Sequence, residues 1–313
     1  MTSVLDDFTR KLKSSTLDPL ETYKDMTYHY TSIANIDSIL PKEGRARLWA
    51  SRHDCLNDAS EGRIPEIRFK QASERLAESG KIDERFYALI HDVRPNRTDL
   101  IVPTIDGKTR PARSEFKTYV TSFSEDPDAL AMWNYYSKGN RYEGVSIGFS
   151  LREILDSLDS ALNADRTMKV RAAKVVYDEE EQLRMIERAI LDPSNNYEPR
   201  YGTSVRYCIA TLLTDLQPLF KLDCFSHEKE VRLYVKVFDK FKAAAPVNYR
   251  SSVGYMIPYV NLDFEKEAVF QITLAPSLDS EGQKKLQREV VREMLEVRGY
   301  QPTVKHSEIP VRY

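Results

Sequence analysis

One segment in the last third of the sequence constrains the fold more strongly than any other. In EVRLYVKV, apolar residues occupy every second position, and polar or aromatic residues lie between them. The apolar positions are Val231, Leu233, Val235 and Val237. A period of two is typical of a β-strand with one buried face, and such a strand is stable only in a sheet with a hydrophobic layer against it. The chain therefore contains a β-sheet that is packed on one face.

Further segments predict more strands, separated by helices of period near 3.6. Strands are predicted in MTYHYTS, RARLWAS, FKTYVTSFSE, EGVSIGFS, MKVRAAKVVYD and AVFQITLAP. Helices are predicted at 66–79, 81–93, 127–140, 151–162, 179–191, 202–220 and 279–300. This mixture predicts one α+β domain over residues 27–313, with helical insertions near 64–115 and 179–220. Residues 1–26 are predicted to form a peripheral N-terminal arm.

Composition excludes several classes of protein. The net charge of −2 over 313 residues provides no overall attraction to nucleic acid or to an anionic membrane, although local basic patches remain possible. No apolar run approaches the roughly 20 residues that span a bilayer, and the N-terminus lacks the apolar core of a secretory signal. The three cysteines are odd in number and lack C-x-x-C spacing, so neither a disulfide framework nor a zinc site is predicted. We expect a cytoplasmic protein without a membrane partner.

Two glutamates, Glu228 and Glu230, flank one lysine where the opening strand begins. On an extended chain they would lie on one side, where like charges repel and add nothing to stability. One interpretation is a solvated strand end balanced by the neighbouring basic residues. The other is chemical, because a fixed carboxylate stabilises the oxocarbenium-like cation formed when a glycosidic bond breaks, and a second carboxylate can activate the nucleophile. A second EKE at 265–267 is interpreted as surface.

Aromatic residues crowd the predicted helix in PDALAMWNYYSKGN. Trp133 is expected in the core, although a nucleobase or nicotinamide ring could stack on it or on Tyr136. Ser122 and Ser124, at the end of the preceding strand, could orient a ribose.

A turn follows the second predicted strand in LNDASEG. Turn chemistry alone explains Asn57 and Asp58. With Glu61 they also form a polar loop where an acceptor substrate or phosphates could lie, and no histidine stands at metal-ligand spacing. We predict substrate contacts at this loop and no metal site.

Several motifs occur in a fixed order along the chain. They are YHYTS…ANIDSIL…G, LWAS…LNDASEG, SFSE…MWNYY…EGVSIGF, HEKEVRLY and HSEIPVRY. In this order they resemble a broad bacterial and phage family catalogued as a domain of unknown function. The resemblance covers roughly residues 27–150 and 220–313, and it implies no activity.

A more remote resemblance implies a function. The segment YHYTSIANIDSILPKEG is similar to the first strand and helix of ADP-ribosyltransferases, where H-x-T/S…N…I…G begins the NAD site, and especially to the DNA-modifying toxin branch. The late E-x-E is likewise the pattern of many ADP-ribosylating toxins. The resemblance implies a split antiparallel β-sheet with NAD, as a substrate, in the cleft between its halves.

The resemblance also implies roles for individual residues. His29 would hold a ribose hydroxyl of NAD, Tyr30 and Thr31 would assist it, and Tyr136 would pack near the nicotinamide. Ser124, Trp49 or Tyr136 could fill the family's second-strand position. The implied catalytic residues are Glu230, on the 2′-hydroxyl of the nicotinamide ribose, and Glu228, which would orient or deprotonate the acceptor; their assignment rests on spacing. The predicted substrate contacts are Asn57, Asp58, Glu61, Trp133 and Arg232.

The predicted function is therefore ADP-ribosyl transfer from NAD to a nucleic acid or protein, in a toxin or anti-phage effector that could have an antitoxin or regulatory partner. Three alternatives stay open. The first is a metal-dependent nuclease or hydrolase that uses Asp58, Glu61, Glu228 and Glu230. The second is a module that binds a nucleotide or a partner without catalysis, and the third is plain hydrolysis of NAD.

Overall fold

The structure of the chain is a computed structural model. It describes residues 25–56, 62–95, 101–103, 109–111, 116–137, 143–162, 168–194, 202–238, 247–252, 254–277 and 279–310.

The strands of the described residues are β1 (Met26–Ser32), β2 (Ala46–Arg52), β3 (Ile101–Pro103), β4 (Thr109–Pro111), β5 (Phe116–Ser124), β6 (Gly144–Ser150), β7 (Met168–Lys174), β8 (Glu230–Phe238), β9 (Val247–Ser252), β10 (Tyr255–Phe264), β11 (Val269–Leu274) and β12 (Thr303–His306). The α-helices are α1 (Ile36–Ile39), α2 (Ile64–Glu78), α3 (Glu84–Ile90), α4 (Leu130–Tyr136), α5 (Leu151–Leu162), α6 (Glu179–Ser194), α7 (Gly202–Leu216) and α8 (Glu281–Val297). Short 3₁₀ helices cover Ile33–Asn35, His53–Cys55, Asp223–Glu228 and Lys266–Ala268.

One large sheet has the strand order β12-β11-β6-β1-β5-β2-β10-β9, and β8 pairs with both β5 and β7. Among the pairs whose register is described, only β11 with β12 is parallel. The predicted α+β class with a largely antiparallel sheet is confirmed.

Two neighbouring strands of the large sheet, β1 and β5, are paired over only a short length. β1 pairs with β6 along all seven of its residues, but its register with β5 consists of one pair, Tyr28 opposite Ser124. β2 meets β5 at two register pairs, one of which is Ser51 opposite Val120. Because a continuous ladder would pair many more residues, β1 and β5 diverge beyond Tyr28.

The hydrophobic core explains the alternation in β8. Val231, Leu233, Val235 and Val237 belong to one buried cluster with Phe123 of β5 and Ile147 of β6. The opposite face of β8 is also buried, since Arg232 and Tyr234 are each only 1% exposed. The sequence predicted that only the apolar face of this strand is buried, and that prediction is wrong. β8 lies inside the sheet between β5 and β7, and its polar face is covered as well.

The chain divides into two compact units. The helical unit includes His53–Lys117 and Val175–Phe225, and the sheet unit includes Tyr23–Arg52, Thr118–Lys174 and Ser226–Tyr313. The peripheral arm and the single domain with two helical insertions stay predictions.

A buried polar network holds the helical unit together. Arg68 of α2 donates from Nε to Gln182 Oε1 of α6 (3.1 Å) and from Nη1 to Glu179 (2.7 Å). The amide nitrogen of Gln182 donates to the carbonyls of Val176 (2.7 Å) and Lys221 (2.9 Å). The network satisfies groups that would be costly to bury unpaired.

In the sheet unit, α8 connects β11 to the parallel strand β12. Its first turn has a capping box in which Ser280 Oγ accepts from Gln283 N and the Gln283 side chain accepts from the Ser280 backbone. Within the described residues, no helix is long and apolar enough to cross a membrane.

Candidate active site

The end of β5 joins β1 to the beginning of β8. Ser124 is fully buried, and its hydroxyl donates to the carbonyl of Glu228 at 2.8 Å and accepts from Asp126 N at 3.1 Å. Glu125 N donates to the Lys229 carbonyl at 3.0 Å. Ser124, predicted to bind the cofactor, therefore fixes the backbone of the E-K-E segment, and its contact with NAD stays a prediction.

The E-K-E segment is not a simple strand end. Glu228 is the last residue of the 3₁₀ helix Asp223–Glu228, and Glu230 is the first residue of β8. Lys229 between them has φ 44°, the only positive φ of a non-glycine residue in the described ranges. The prediction that both carboxylates lie on one side of an extended chain is wrong, because the left-handed Lys229 reverses the local direction.

Glu230 is held by a guanidinium fork. Arg232 donates from Nε to Glu230 Oε1 at 2.7 Å and from Nη2 to Oε2 at 3.0 Å. The two residues lie two apart on β8, on the same face of the strand, and they are 5% and 1% exposed. The fork fixes the orientation of the carboxylate. Substrate binding by Arg232 stays a prediction.

Glu228 is buried as well, with 7% of its surface exposed. The second EKE has a different environment. Glu265 and Glu267 are exposed, and Glu265 pairs with Arg45 at 2.8 Å on the surface. The same tripeptide thus adopts two geometries in one chain, and only the copy at 228–230 is buried and strained.

His29 lies where β1 leaves β5. Its Nδ1 donates to the Ser122 carbonyl at 3.0 Å, and its ring contacts the edge of Phe123. Burial lowers the pKa of His29, and the hydrogen bond to Ser122 opposes that effect. The imidazole is therefore neutral at pH 7, and since Nδ1 has the proton, Nε2 is an acceptor. His29 and Glu230 lie on opposite faces by strand alternation, because Phe123 and Val231 share the core face.

Tyr30 and Trp133 form a small core on the other face of β1. The Tyr30 hydroxyl donates to the Asp126 carbonyl (2.7 Å) and accepts from Ala129 N (2.9 Å), and its ring packs edge-on against Trp133. Trp133 is 1% exposed, and its Nε1 donates to Asp128 at 2.8 Å. Both rings act as core residues in this structure, so their contacts with ligands stay predictions. Burial raises the pKa of Tyr30.

Thr31 is nearly buried, and its Oγ1 accepts a hydrogen bond from the Asn35 side chain at 2.7 Å. Tyr136 is 42% exposed at the end of α4. Their contacts with NAD stay predictions.

Sequence reasoning missed two features beside this site. Tyr135 and His227 join α4 to the 3₁₀ helix before Glu228, through a hydrogen bond of 3.0 Å between the hydroxyl and Nε2. Asp128 accepts from Trp133 Nε1, from Ser307 Oγ (2.6 Å) and from Glu308 N (2.8 Å), so it ties the closing HSEIP motif to α4. The turn sequence EDPDA was a signal for a capping carboxylate, whereas the pairing of Tyr135 with His227 had none.

Asn57, Asp58 and Glu61 lie outside the described residues, so their predicted substrate contacts stay predictions. Across the described parts of the chain, no three His, Cys, Asp or Glu side chains are grouped as metal ligands would be.

Three comparisons place the chain among known proteins. A family model described as a protein of unknown function (DUF2971) matches residues 132–233, which is less than half of the chain and includes the E-K-E segment and Arg232. The predicted resemblance to such a family is confirmed over that segment.

A search of curated proteins gave no match. Among solved structures, the chain is similar to Thermus sp. 2.9 DarT in complex with NAD+, with 12% identity, 91% of this chain and 96% of that chain covered, and a TM-score of 0.29. The fold assignment therefore rests on the strand pairing described above.

Proposed function

We propose that the protein is an NAD-dependent ADP-ribosyltransferase that modifies a macromolecular acceptor, either nucleic acid or protein. The observation that supports this most directly is the buried, strained E-K-E segment with its Arg232 fork. The sequence resemblance of the first strand and of the E-x-E to ADP-ribosyltransferases supports the same function, and with it a role as a toxin or anti-phage effector.

The E-K-E geometry costs stability. A left-handed lysine costs about 1–2 kcal/mol relative to right-handed backbone, and burying an ion pair requires the desolvation of both charges. The copy at 265–267 shows that the tripeptide can lie at the surface without this strain. Strain and buried charge persist where a site requires them, so a catalytic role for Glu228 and Glu230 accounts for the arrangement.

The chemistry requires one fixed negative charge and one base. Cleavage breaks the bond between C1′ of the ribose and the nicotinamide nitrogen, and the bonding electron pair leaves with nicotinamide. In this proposal Glu230, oriented by Arg232, accepts a hydrogen bond from the ribose 2′-hydroxyl and stabilises the cationic C1′. Glu228 takes the proton of the acceptor nucleophile as it bonds to C1′. The products are the ADP-ribosylated acceptor, nicotinamide and one proton.

The proposed position of NAD is the opening between β1 and β5. A ligand that passes between two diverging strands meets residues of both sheet faces, so it can contact His29 on one side and Glu230 on the other. There Nε2 of the neutral His29 would accept a hydrogen bond from a ribose hydroxyl of NAD. Thr31 and Tyr136 would lie along the bound NAD.

The test compares the wild type with Glu230→Gln and with the matched control Glu267→Gln, which makes the same change in the exposed EKE. Each protein is incubated with NAD labelled in its adenosine part and with cell extract, and released nicotinamide and labelled macromolecules are measured. We expect release and labelling by the wild type and by Glu267→Gln, and neither by Glu230→Gln. Nuclease and protease treatment of the product then identifies the acceptor class.

Folding has to be controlled, because Glu230→Gln leaves Arg232 buried without its counter-charge. Thermal unfolding of each variant is measured, and the double variant Glu230→Gln with Arg232→Met replaces both partners if the single one unfolds. Nicotinamide release without labelling would indicate NAD hydrolysis. No release and no thermal shift with NAD would overturn the proposal, and hydrolysis of nucleic acid that a chelator abolishes would favour the metal-dependent alternative.

A further inference from the structure

A second group of polar residues lies in the sheet unit, where β11 and β12 end. These strands are parallel, with Leu274 opposite His306, and α8 connects them. The carboxyl ends of parallel strands and the beginning of the connecting helix share one edge, a common position for ligands. We call the residues there the carboxyl-edge cluster: Ser277, Lys284, Arg288 and His306.

Positive charge accumulates in this cluster. Lys284 and Arg288 are four residues apart on α8, so they lie on one face of the helix, and both are half-buried. Arg288 has no ion-pair partner among the described residues, and Lys284 has the exposed Glu281 at 3.5 Å. Burial lowers the pKa of His306 and the charge of Arg288 lowers it further; the backbone of Ala275 opposes these effects, and the charge of Lys284 adds a smaller lowering. Like charges held together reduce stability unless an anion compensates them.

Several buried polar atoms in the cluster lack a hydrogen bond. Ser277 Oγ is buried and makes no hydrogen bond within the described part of the chain. Both ring nitrogens of His306 are buried too; they lie beside the backbone of Ala275 and Lys284, but without the geometry of a well-formed hydrogen bond. Most buried polar atoms in proteins are paired, and each unpaired one costs about 1–3 kcal/mol. The Ser277 hydroxyl and the one N–H of a neutral His306 ring are two donors beside two cations, and together they indicate a ligand that accepts hydrogen bonds and has a negative charge.

We propose that the carboxyl-edge cluster binds a phosphate group, with Arg288 and Lys284 supplying the positive charge and with the Ser277 hydroxyl and the His306 imidazole donating hydrogen bonds. A tetrahedral phosphate has several acceptor oxygens, and a guanidinium matches two of them at once. The phosphate can be inorganic or belong to a nucleotide. This site is separate from the E-K-E segment, and the proposal does not depend on ADP-ribosyl transfer.

The experiment titrates the protein with inorganic phosphate and, separately, with AMP, at an ionic strength held constant with sodium chloride. Binding is followed by calorimetry and by the NMR signals of the His306 ring. Arg288→Gln is compared with Arg292→Gln, which removes the same charge from an exposed position one turn further along α8. We expect saturable binding, shifted His306 signals, an affinity lower by about tenfold or more in Arg288→Gln, and no change in Arg292→Gln.

A purely structural role for Arg288 predicts a different result. If Arg288 only stabilised the fold, Arg288→Gln would lower the melting temperature in phosphate-free buffer. We expect it to leave that temperature unchanged or to raise it, because the substitution relieves repulsion. If Arg288→Gln does not fold, Ser277→Ala replaces it in the titration.

Equal affinity for phosphate and AMP would show that the site recognises the phosphate group alone, and tighter binding of AMP would assign it to nucleotides. No response of His306, or the same affinity in Arg288→Gln and Arg292→Gln, would overturn the proposal. Glu230→Gln is expected to bind phosphate like the wild type, so failure of one proposed site is distinguishable from failure of the other.

Discussion

Lys229 is held in the left-handed region by contacts on three sides. Its backbone N–H donates to the Ser226 carbonyl at 3.1 Å, and its carbonyl accepts from Glu125 N at 3.0 Å. Its ammonium lies 3.3 Å from an Asp126 carboxylate oxygen. These contacts fix both the end of the 3₁₀ helix and the beginning of β8. One backbone conformation therefore sets the orientation of Glu228 relative to Glu230.

The strain at Lys229 is measurable by comparing Lys229→Gly with Lys229→Ala. Both variants lose the contact with Asp126, so their difference isolates the backbone. We expect the glycine variant to have the higher free energy of unfolding, by about 1 kcal/mol, because glycine adopts positive φ without steric cost. Denaturant unfolding measures the difference.

The control is the same pair of substitutions at Lys266, in the other EKE, where φ is not positive. There the alanine variant should be the more stable, because glycine loses more conformational entropy on folding. Equal stability of the two Lys229 variants would contradict the strain.

Two histidines make stability depend on pH. His29 and His306 both have a pKa below the ordinary value of 6.5, chiefly because of burial. As the pH falls through that value, the unfolded chain takes up protons that the folded protein does not, so the folded state loses stability. We expect lower melting temperatures at about pH 5.5 than at about pH 7.5, and a smaller decrease in His29→Asn and in His306→Asn.

The exposed His91 provides the matched substitution for this measurement. If His91→Asn changed the slope of melting temperature against pH as much as His29→Asn, the assignment to buried histidines would be wrong.

At the scale of elements, α4 depends on β1 for its position. Ala129, which precedes α4, donates its N–H to the Tyr30 hydroxyl, and Trp133 within α4 packs on the Tyr30 ring. Asp128 then joins this helix to the segment after β12. The exposed Tyr136 at the end of α4 is thus positioned by buried residues at its beginning.

Removing the Tyr30 hydroxyl tests this docking. Tyr30→Phe leaves the half-buried Ala129 N–H without its acceptor, so we expect a loss of about 1 kcal/mol or more in the free energy of unfolding. Tyr135→Phe removes a hydroxyl whose bond to His227 is exposed, and it should cost less than about 1 kcal/mol. Similar losses in the two variants would contradict a buried anchor for α4.

The pattern of neighbouring residues in the sequence predicted the strands and helices better than it predicted the geometry of the candidate active site. The alternation of Val231, Leu233 and Val235 depends on neighbours in sequence, so β8 and its core face could be predicted. The burial of Arg232 and the left-handed Lys229 could not, because they arise among contacts that are distant in sequence, such as the hydrogen bond from Ser124 to the Glu228 carbonyl, 104 residues away. The helix in PDALAMWNYY was visible as a pattern, whereas the role of Trp133 as a core residue depends on Tyr30 of β1.

At the scale of the whole molecule, the strands of the large sheet differ in how far they are covered. β6 lies between β1 and β11, and nearly all of its residues are buried. β9 is an edge strand that pairs with β10 alone among the described strands, and its residues alternate between half-buried and exposed.

Hydrogen exchange should follow this order. We expect the amides of β6 to exchange slowest and those of the edge strands β9 and β12 to exchange fastest among the strands of the large sheet, because these edge strands combine a single paired side with solvent exposure. Mass spectrometry of exchanged peptides measures this. Equal protection of β9 and β6 would mean that another chain covers the edge in solution.

The late position of β8 in the sequence also determines when the proposed site can form during synthesis. A ribosome completes β1, β5 and β6 well before it reaches Glu228, and β8 then has to enter beside a strand that was translated about a hundred residues earlier. Until that insertion, the nascent polypeptide contains His29 without either glutamate of the E-K-E segment. A cell that makes this protein therefore meets the complete site only after translation of most of the chain, and any polypeptide released before β8 lacks both carboxylates.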